Sequence, residues 1–385
     1  MYYFLAFLTA FATGILFFPV LIKILNRYEL SDTPGGRKIH QTVVPSMGGI
    51  GFYIAALVSL GIWAWQFQIP DIRYILGAIC LMFFVGLRDD MVELRASRKL
   101  LGQLVSVLIV MFVADIRIKT FHGFLGIEEL NLIGSYGFTA LVLLALTNGF
   151  NLIDGLDGLA GTIAIIALSL LGIWFYLLGF ESYALISFVF LGGVLSFLVF
   201  NWHPAKIFMG DTGSLTLGFT LATLIVAFME INEALPASSA MKFEDTFSIA
   251  VALMLYPLYD MARVFTRRIS QGKGPMVPDK SHVHHFLMRM GLKHNQVALI
   301  LGFLQLVLVF MVFVMKDFSD HIVLPILSFI AIFLGWRLDQ VTVKYVKKKV
   351  DLAPRILEIR ELEKRKKKKI KLDKESFKDS PINMN

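Results

Sequence analysis

Asn148-Gly-Phe-Asn151-Leu-Ile-Asp154-Gly-Leu-Asp157-Gly-Leu159 runs without a break into AGTIAIIALSLLGIWFYLLG, residues 160–179. The second part carries no charged side chain. About 20 apolar residues in a helix cross a hydrocarbon core of roughly 30 Å, so this stretch predicts a membrane-spanning helix. The first part places Asn148, Asn151, Asp154 and Asp157 at intervals of three, among Gly149, Gly155 and Gly158. On an ideal α-helix such a spacing drifts by about 60° per step, so a single polar stripe needs an irregular backbone. Glycine permits one, and at a membrane surface irregular backbone is expected where it lines a cavity. The bland alternative is a solvated loop capping two spans.

Outward from this stretch, the pattern repeats. The chain has 385 residues, 56% hydrophobic and 17% charged, with a mean hydropathy of +0.69, which excludes an ordinary soluble domain. Eleven apolar runs are candidate spans, near 2–25, 47–66, 72–87, 100–115, 132–147, 159–179, 183–200, 213–230, 247–265, 297–315 and 321–337. The expected fold is an all-α polytopic membrane protein of about eleven transmembrane helices, with one domain over 1–340 and a basic tail over 341–385. The run at 132–147 is the weakest, diluted by Gly134, Ser135 and Gly137.

Charge sets the orientation. The first run has no basic residue before it, and Lys23 and Arg27 follow it, an order unlike a secretory signal peptide and suited to an N-terminus outside. Loops 26–46, 88–99, 148–158, 201–212 and 266–296 then face the cytoplasm with three, four, no, one and six basic residues. The opposite loops hold only Arg117, Lys119, Lys242 and Lys316, with Arg73 at a margin. The positive-inside rule selects this topology, with the C-terminus cytoplasmic. In the tail, Lys364 to Lys369 form an unbroken basic run after an apolar pattern at Leu352, Ile356, Leu357, Ile359 and Leu362. It reads either as a helix on an anionic leaflet or as a solvated tail; nucleic-acid binding is not expected of a charge confined to the end of a membrane protein. The single cysteine, Cys80, excludes a disulfide framework and a thiolate zinc site.

Polar groups cluster in the inner loops, and the spans are nearly free of charge, which argues against a transporter with a midplane site. Asp89-Asp90 ends the third run; adjacent carboxylates fit a magnesium ion or a structural ion-pair network with Arg88 and Lys99. Phe208-Met-Gly-Asp211-Thr-Gly-Ser-Leu215 precedes a span, where Thr212 or Ser214 caps a helix whose N-terminal amides favour anions and Asp211 adds a metal-binding carboxylate. It lacks the Gly-Lys-Ser/Thr end of a P-loop. His282-Val-His284-His285, in the longest inner loop, offers either three zinc ligands or hydrogen-bond donors to a diphosphate and sugar. Zinc needs all three imidazoles to converge from a very short run. Arg37-Lys38-Ile-His40 with Pro45-Ser-Met-Gly48-Gly49 reads as an anion contact with close backbone approach, or as an ordinary basic loop.

The order Pro45 to Gly49, Asp89-Asp90, Asn148 to Leu159, Phe208 to Leu215 and His282 to His285 resembles the motifs of the polyprenyl-phosphate N-acetylhexosamine-1-phosphate transferase family, bacterial glycosyltransferase family 4, over roughly residues 1–340. The resemblance implies an inner-membrane enzyme, dependent on magnesium with manganese as an alternative, in which undecaprenyl phosphate attacks the β-phosphorus of a UDP-sugar and releases UMP. It implies Asp211 and Asp154 as metal ligands and Asp89 and Asp90 as the catalytic pair. Substrate contact is implied for Lys38, Lys99, Asn148, Asn151, Asp157, His282, His284 and His285. The 37–40 and 282–285 segments are more similar to the branch using UDP-N-acetylglucosamine for lipid-linked envelope glycans than to the muramoyl-pentapeptide branch. Undecaprenyl phosphate, a UDP-sugar and membrane lipids are the expected partners, with a homodimer left open. The competing class is a flippase or transporter of a lipid-linked substrate.

Overall fold

A computed structural model describes residues 1–28, 31–32, 44–67, 69, 72–121, 123–272, 274 and 282–352. Lys38 and the tail beyond 352 lie outside the described residues. The chain divides into two compact units, Met1–Gly335 and Trp336–Asn385. The helices are α1 (Tyr2–Arg27), α2 (Gly49–Trp63), α3 (Ile72–Met91), α4 (Ala96–Phe112), α5 (Leu132–Ile153), α6 (Leu159–Leu177), α7 (Glu181–Asn201), α8 (Gly210–Ala234), α9 (Thr246–Leu253), α10 (Leu255–Ser270), α11 (Val283–Arg289), α12 (His294–Val314) and α13 (Asp320–Leu352). The described strands are a two-residue antiparallel pair, β1 (Ser31–Asp32) and β2 (Val44–Pro45), with Ser31 opposite Pro45.

Each of the eleven apolar runs falls on helix. Among the described residues, eight helices are long and apolar enough to cross a membrane, nine if the bent pair α9–α10 is one span. The difference from eleven lies in α3, which carries Arg73, Arg88, Asp89 and Asp90, and in α4, which is only 17 residues long. The diluted run at 132–147 is a continuous helix of 22 residues, because Asn131 caps it through its side chain at 2.7 Å from the Gly134 amide.

The bundle is organised around α8, which packs against α2, α3, α5, α6 and α9. Residues 212–229 of this helix are all buried, polar ones included. Thr216 and Thr220 satisfy their hydroxyls by donating to the carbonyls four residues back, at 2.6 and 2.8 Å. A hydroxyl that folds onto its own helix leaves no polar atom facing lipid or apolar neighbours. On the flank, α1 meets α7 through small residues: Ala6, Ala10 and Gly14 are buried, and a side chain at Gly192 would lie 2.3 Å from the Phe7 carbonyl. Backbones come this close only where side chains are small, the usual device for helix association in lipid.

The run expected as one span at 247–265 is two helices bent by 79° at Met254. Pro257 explains the break, since it lacks an amide hydrogen and its ring clashes with the carbonyl one turn back. Buried Gln305 of α12 bridges the gap: its side-chain amide donates to the Ala252 carbonyl, and its carbonyl accepts from the Tyr256 amide at 3.2 Å. The sequence shows Pro257 but not the residue that makes the break affordable in an apolar setting. Gln305→Leu keeps the volume and strands both backbone groups, each at a cost of about 1–3 kcal/mol. The melting temperature in detergent should fall by roughly 3–10 °C; an unchanged value would mean that the break does not rely on Gln305.

Candidate active site

The N-terminus of α8 is gripped by backbone. The Gly48 and Gly49 amides donate to the Phe208 and Met209 carbonyls at 2.8 and 3.0 Å, and the Phe208 amide donates to the Pro45 carbonyl at 2.9 Å. A side chain at Gly49 would lie 2.2 Å from the Gly213 nitrogen, and one at Gly86 would lie 2.4 Å from the Asp211 carbonyl. These two glycines therefore bring α2 and α3 into backbone contact with the first turn of α8. Asp90 completes the grip. Its carboxylate accepts from the amides of Asp211 and Thr212, both at 2.8 Å, and from the Thr212 hydroxyl. A carboxylate here satisfies helix-end donors and sits favourably on the helix dipole. Asp90 thus works as a cap supplied by another helix.

With that turn fixed, Asp211 lies within a chain of charges. The Lys99 ammonium is 2.8 Å from one oxygen of Asp211 and 2.8 Å from one oxygen of Asp89. Asp89 also accepts from the Leu94 amide at 2.7 Å. Asn151 donates to Asp211 and, at 2.7 Å, to the Ser214 hydroxyl. Asp154 follows the end of α5, and burial, then the neighbouring carboxylates of Asp211 and Asp90, push its acid well above the usual carboxylate range. Lys99 thus bridges two carboxylates, and Asp90 and Asp154 stand close to one of them, Asp211. A carboxyl whose acid is raised by burial and neighbouring charge is one whose ionised form a divalent cation would favour, and an all-oxygen set suits a hard ion that retains waters and needs only one or two carboxylates. The donor set is of the kind that fits magnesium, and Asp211 and Asp154 are the residues that would hold it.

The glycine-rich loop after α5 is pinned from two sides. Gly158, at φ 78°, donates its amide to Asn201 at 2.9 Å, and Asn201 donates to the Ile207 carbonyl at 2.8 Å. Asp157, only 3% exposed, meets the His203 Nδ1 at 2.7 Å, the His294 Nδ1 at 3.2 Å and the Ala205 amide at 3.3 Å. Burial acts to raise its acid, but bonding with His294 and His203 outweighs it and holds the acid down at about 2. Asn148 points elsewhere, into a reciprocal amide pair with buried Gln103 at 2.7 and 3.2 Å.

The histidine run meets the other side of this loop. Asp260, fully buried in α10, accepts from the Val283 amide at 2.8 Å and holds the His282 Nδ1 at 2.7 Å, which starts α11. His284 is 2% exposed, and its Nε2 would lie 3.3 Å from a side chain at Gly155. Its ring is 4.3 Å from that of His285 and 5.6 Å from that of His282. Among the described residues, the metal-capable cluster is Asp157, His203 and His294 and not this run. Contact by contact, Asp89, Asp90, Lys99, Asn151, Asp154 and Asp211 gather at one turn, and Asp157 and His284 belong to or abut the adjoining loop. Gln103, Asp260 and His294 are site-supporting residues that the sequence reading did not single out for a role. A polar side chain inside an apolar run was the available signal for the first two.

Burial, and then the nearby His285, push the His284 acid down to about 3. Because this folded value lies below the ordinary 6.5, the unfolded chain takes up the proton first as pH falls. The contribution is complete above 6.5 and is lost progressively toward 3, about 1.4 kcal/mol by pH 5.5. Melting temperatures measured from pH 7.5 to 5.5 should fall less steeply for His284→Phe than for the parent; parallel slopes would exclude a buried neutral His284.

Comparison with known proteins gives consistent matches. A model of glycosyl transferase family 4 matches residues 72–229. A probable undecaprenyl-phosphate N-acetylglucosaminyl 1-phosphate transferase of Bacillus subtilis (strain 168) is 31% identical over 335 residues, covering 86% of this chain and 89% of that one. A decaprenyl-phosphate N-acetylglucosaminephosphotransferase of Mycobacterium leprae (strain TN) is 32% identical over 321 residues, 77% and 78% of the two chains. An undecaprenyl-phosphate alpha-N-acetylglucosaminyl 1-phosphate transferase of Escherichia coli (strain K12) is 28% identical over 333 residues, 84% and 87% of the two. With identity of this extent, and with the matched segment running from α3 through most of α8, the helix whose first turn organises the site, the chain belongs to glycosyl transferase family 4.

Proposed function

We propose that this protein transfers N-acetylglucosamine 1-phosphate from UDP-N-acetylglucosamine to undecaprenyl phosphate, releasing UMP, on the cytoplasmic side of an inner membrane that it crosses eleven times. The observation that carries the reading is the gathering of Asp89, Lys99, Asn151, Asp154 and Asp211 around the turn of α8 that Asp90 caps. The relatives' names supply the substrates.

The reaction brings a diphosphate and a phosphate monoester together. An oxygen of the lipid phosphate forms a bond to the β-phosphorus as the bond from that phosphorus to the bridging oxygen breaks, and UMP leaves with the bridging oxygen. The second pKa of a phosphate monoester is near 6, so at neutral pH the acceptor is mostly a dianion and needs little base catalysis. What it needs is charge compensation. Magnesium held by Asp211 and Asp154 would neutralise charge on the diphosphate. Lys99, between Asp89 and Asp211, is a cation that the described residues bring to this point, and Asp89 keeps its ammonium pointed at the site. Asn151 orients the Asp211 carboxylate, and His284, buried and neutral beside Gly155, is a hydrogen-bonding group rather than a charge.

Purified protein mixed with undecaprenyl phosphate, magnesium and UDP-N-acetylglucosamine should release UMP, and Asp211→Asn should lower the rate by about 10²-fold or more. UMP from UDP-N-acetylmuramoyl-pentapeptide instead would move the protein to the peptidoglycan branch. No UMP from either donor, with labelled lipid crossing the bilayer, would make it a transporter. For orientation, cysteines at Ser97 and Ser270 in a Cys80→Ser background should react with an impermeant reagent only from the cytoplasmic side; labelling from outside would reverse the topology.

A further inference from the structure

We propose that Asp157, His203 and His294 form a binding site for a transition-metal ion, zinc(II) by preference, distinct from the oxygen-lined magnesium site expected at Asp211. The three residues come from separate elements: the loop after α5, the loop after α7 and the first residue of α12. Their donor atoms all lie within 4.8 Å of one another. The two imidazole rings face each other with centroids 4.8 Å apart and planes 33° apart, and each turns its Nδ1 toward the same carboxylate, on different oxygens.

The donor chemistry selects the ion. Two imidazole nitrogens and one carboxylate oxygen suit zinc, cobalt or nickel, whereas magnesium and calcium take oxygen. Three protein ligands leave a fourth tetrahedral position for water, the arrangement of an open zinc site. Zinc–ligand distances of about 2.0–2.1 Å place tetrahedral ligands roughly 3.4 Å apart, so the 3.2 Å contact of His294 needs to open by about 0.2 Å and the 2.7 Å contact of His203, the more exposed ring, by about 0.7 Å. Binding replaces any proton shared between carboxylate and imidazole, so it releases protons and weakens at low pH. Asp157 and His294 are buried while the His203 side chain is 34% exposed, which gives the ion a route in from one side. The Ala205 amide, 3.3 Å from the carboxylate oxygen that His203 also meets, supplies an outer contact to the ligand.

Such an ion would tie the loop that carries Asp154 to α7 and α12 at once. The inference rests on the donor set and not on the transferase reading, and the test is a binding measurement. Full-length protein purified in detergent without a histidine tag, stripped with chelator and returned to millimolar magnesium, is titrated with cobalt(II) by visible absorption and with zinc(II) against a chromophoric chelator. The expected result is one ion per chain at micromolar affinity or tighter, unaffected by magnesium, with a rise in melting temperature. His203→Ala and His294→Ala should each weaken binding by 100-fold or more, and His285→Ala should leave it unchanged. Should His294→Ala fail to fold, the partly exposed His203 carries the test. Absence of a stoichiometric ion, binding that magnesium displaces, retention in His203→Ala, or loss on His285→Ala would each overturn the proposal, the last by moving the metal to the 282–285 run.

Discussion

Asp90 accepting the first free amides of α8 is the contact on which the rest of the site depends. A helix end buried among other helices leaves its N-terminal donors unsatisfied unless a partner reaches them, and α8 has no side-chain cap of its own. The carboxylate comes from α3, 121 residues earlier, so the same bond that satisfies the helix end also fixes two helices against each other. Gly86 and Gly49 make this approach feasible by bringing bare backbone to the turn. Once the turn is held, the Asp211 carboxylate has one direction to take, and Lys99 and Asn151 meet it there. The adjacent carboxylates of Asp89 and Asp90 therefore have different work: one holds backbone, the other holds a lysine.

The apolar surroundings explain how the scaffold stays precise while carrying polar atoms. Backbone groups in such a setting have no water to turn to, so each interruption of a helix needs a dedicated partner. Gln305 serves the break at Met254, Asn201 serves the Gly158 amide, and Asp260 serves the start of α11. The polar residues scattered through otherwise apolar helices are in this sense part of the backbone's hydrogen bonding. Their positions coincide with the irregular segments, and those segments carry the site residues.

This division also marks what a single sequence discloses. Each of the eleven runs picked out by apolar length falls on helix, and polar clustering picked out Asp89-Asp90, Asn151 to Asp157 and Asp211, whereas Gln103, Asp260 and His294 were not singled out. Pairing was not legible. Asn148 lies in the same motif as Asn151 and Asp154 but bonds Gln103 of α4, and no spacing in the sequence distinguishes it from its neighbours. Asp157 is read as a substrate contact by resemblance, yet in the structure its oxygens meet histidines 46 and 137 positions away. The 79° bend is foreshadowed by Pro257, while Gln305, which makes it tolerable, looks from sequence like a lone polar residue in a span. Long-range contacts between buried polar groups carry this missing information, and they leave no periodic trace.

Charge balance connects these observations. Asp89, Asp90, Asp154 and Asp211 gather near one turn with Lys99 beside two of them, and burial together with the neighbouring carboxylates raises the Asp154 acid. Asp90 caps a helix end, and Lys99 is shared at 2.8 Å between Asp89 and Asp211, while Asp154 stands beside Asp211 with no cation of its own among the described contacts. Asp157, three residues from Asp154, escapes the same crowding because two imidazoles take up its charge, so its acid is held down where its neighbour's is held up. One loop thus carries two carboxyl groups shifted in opposite directions, and the difference comes from the histidines that the loop after α7 and the start of α12 bring to Asp157.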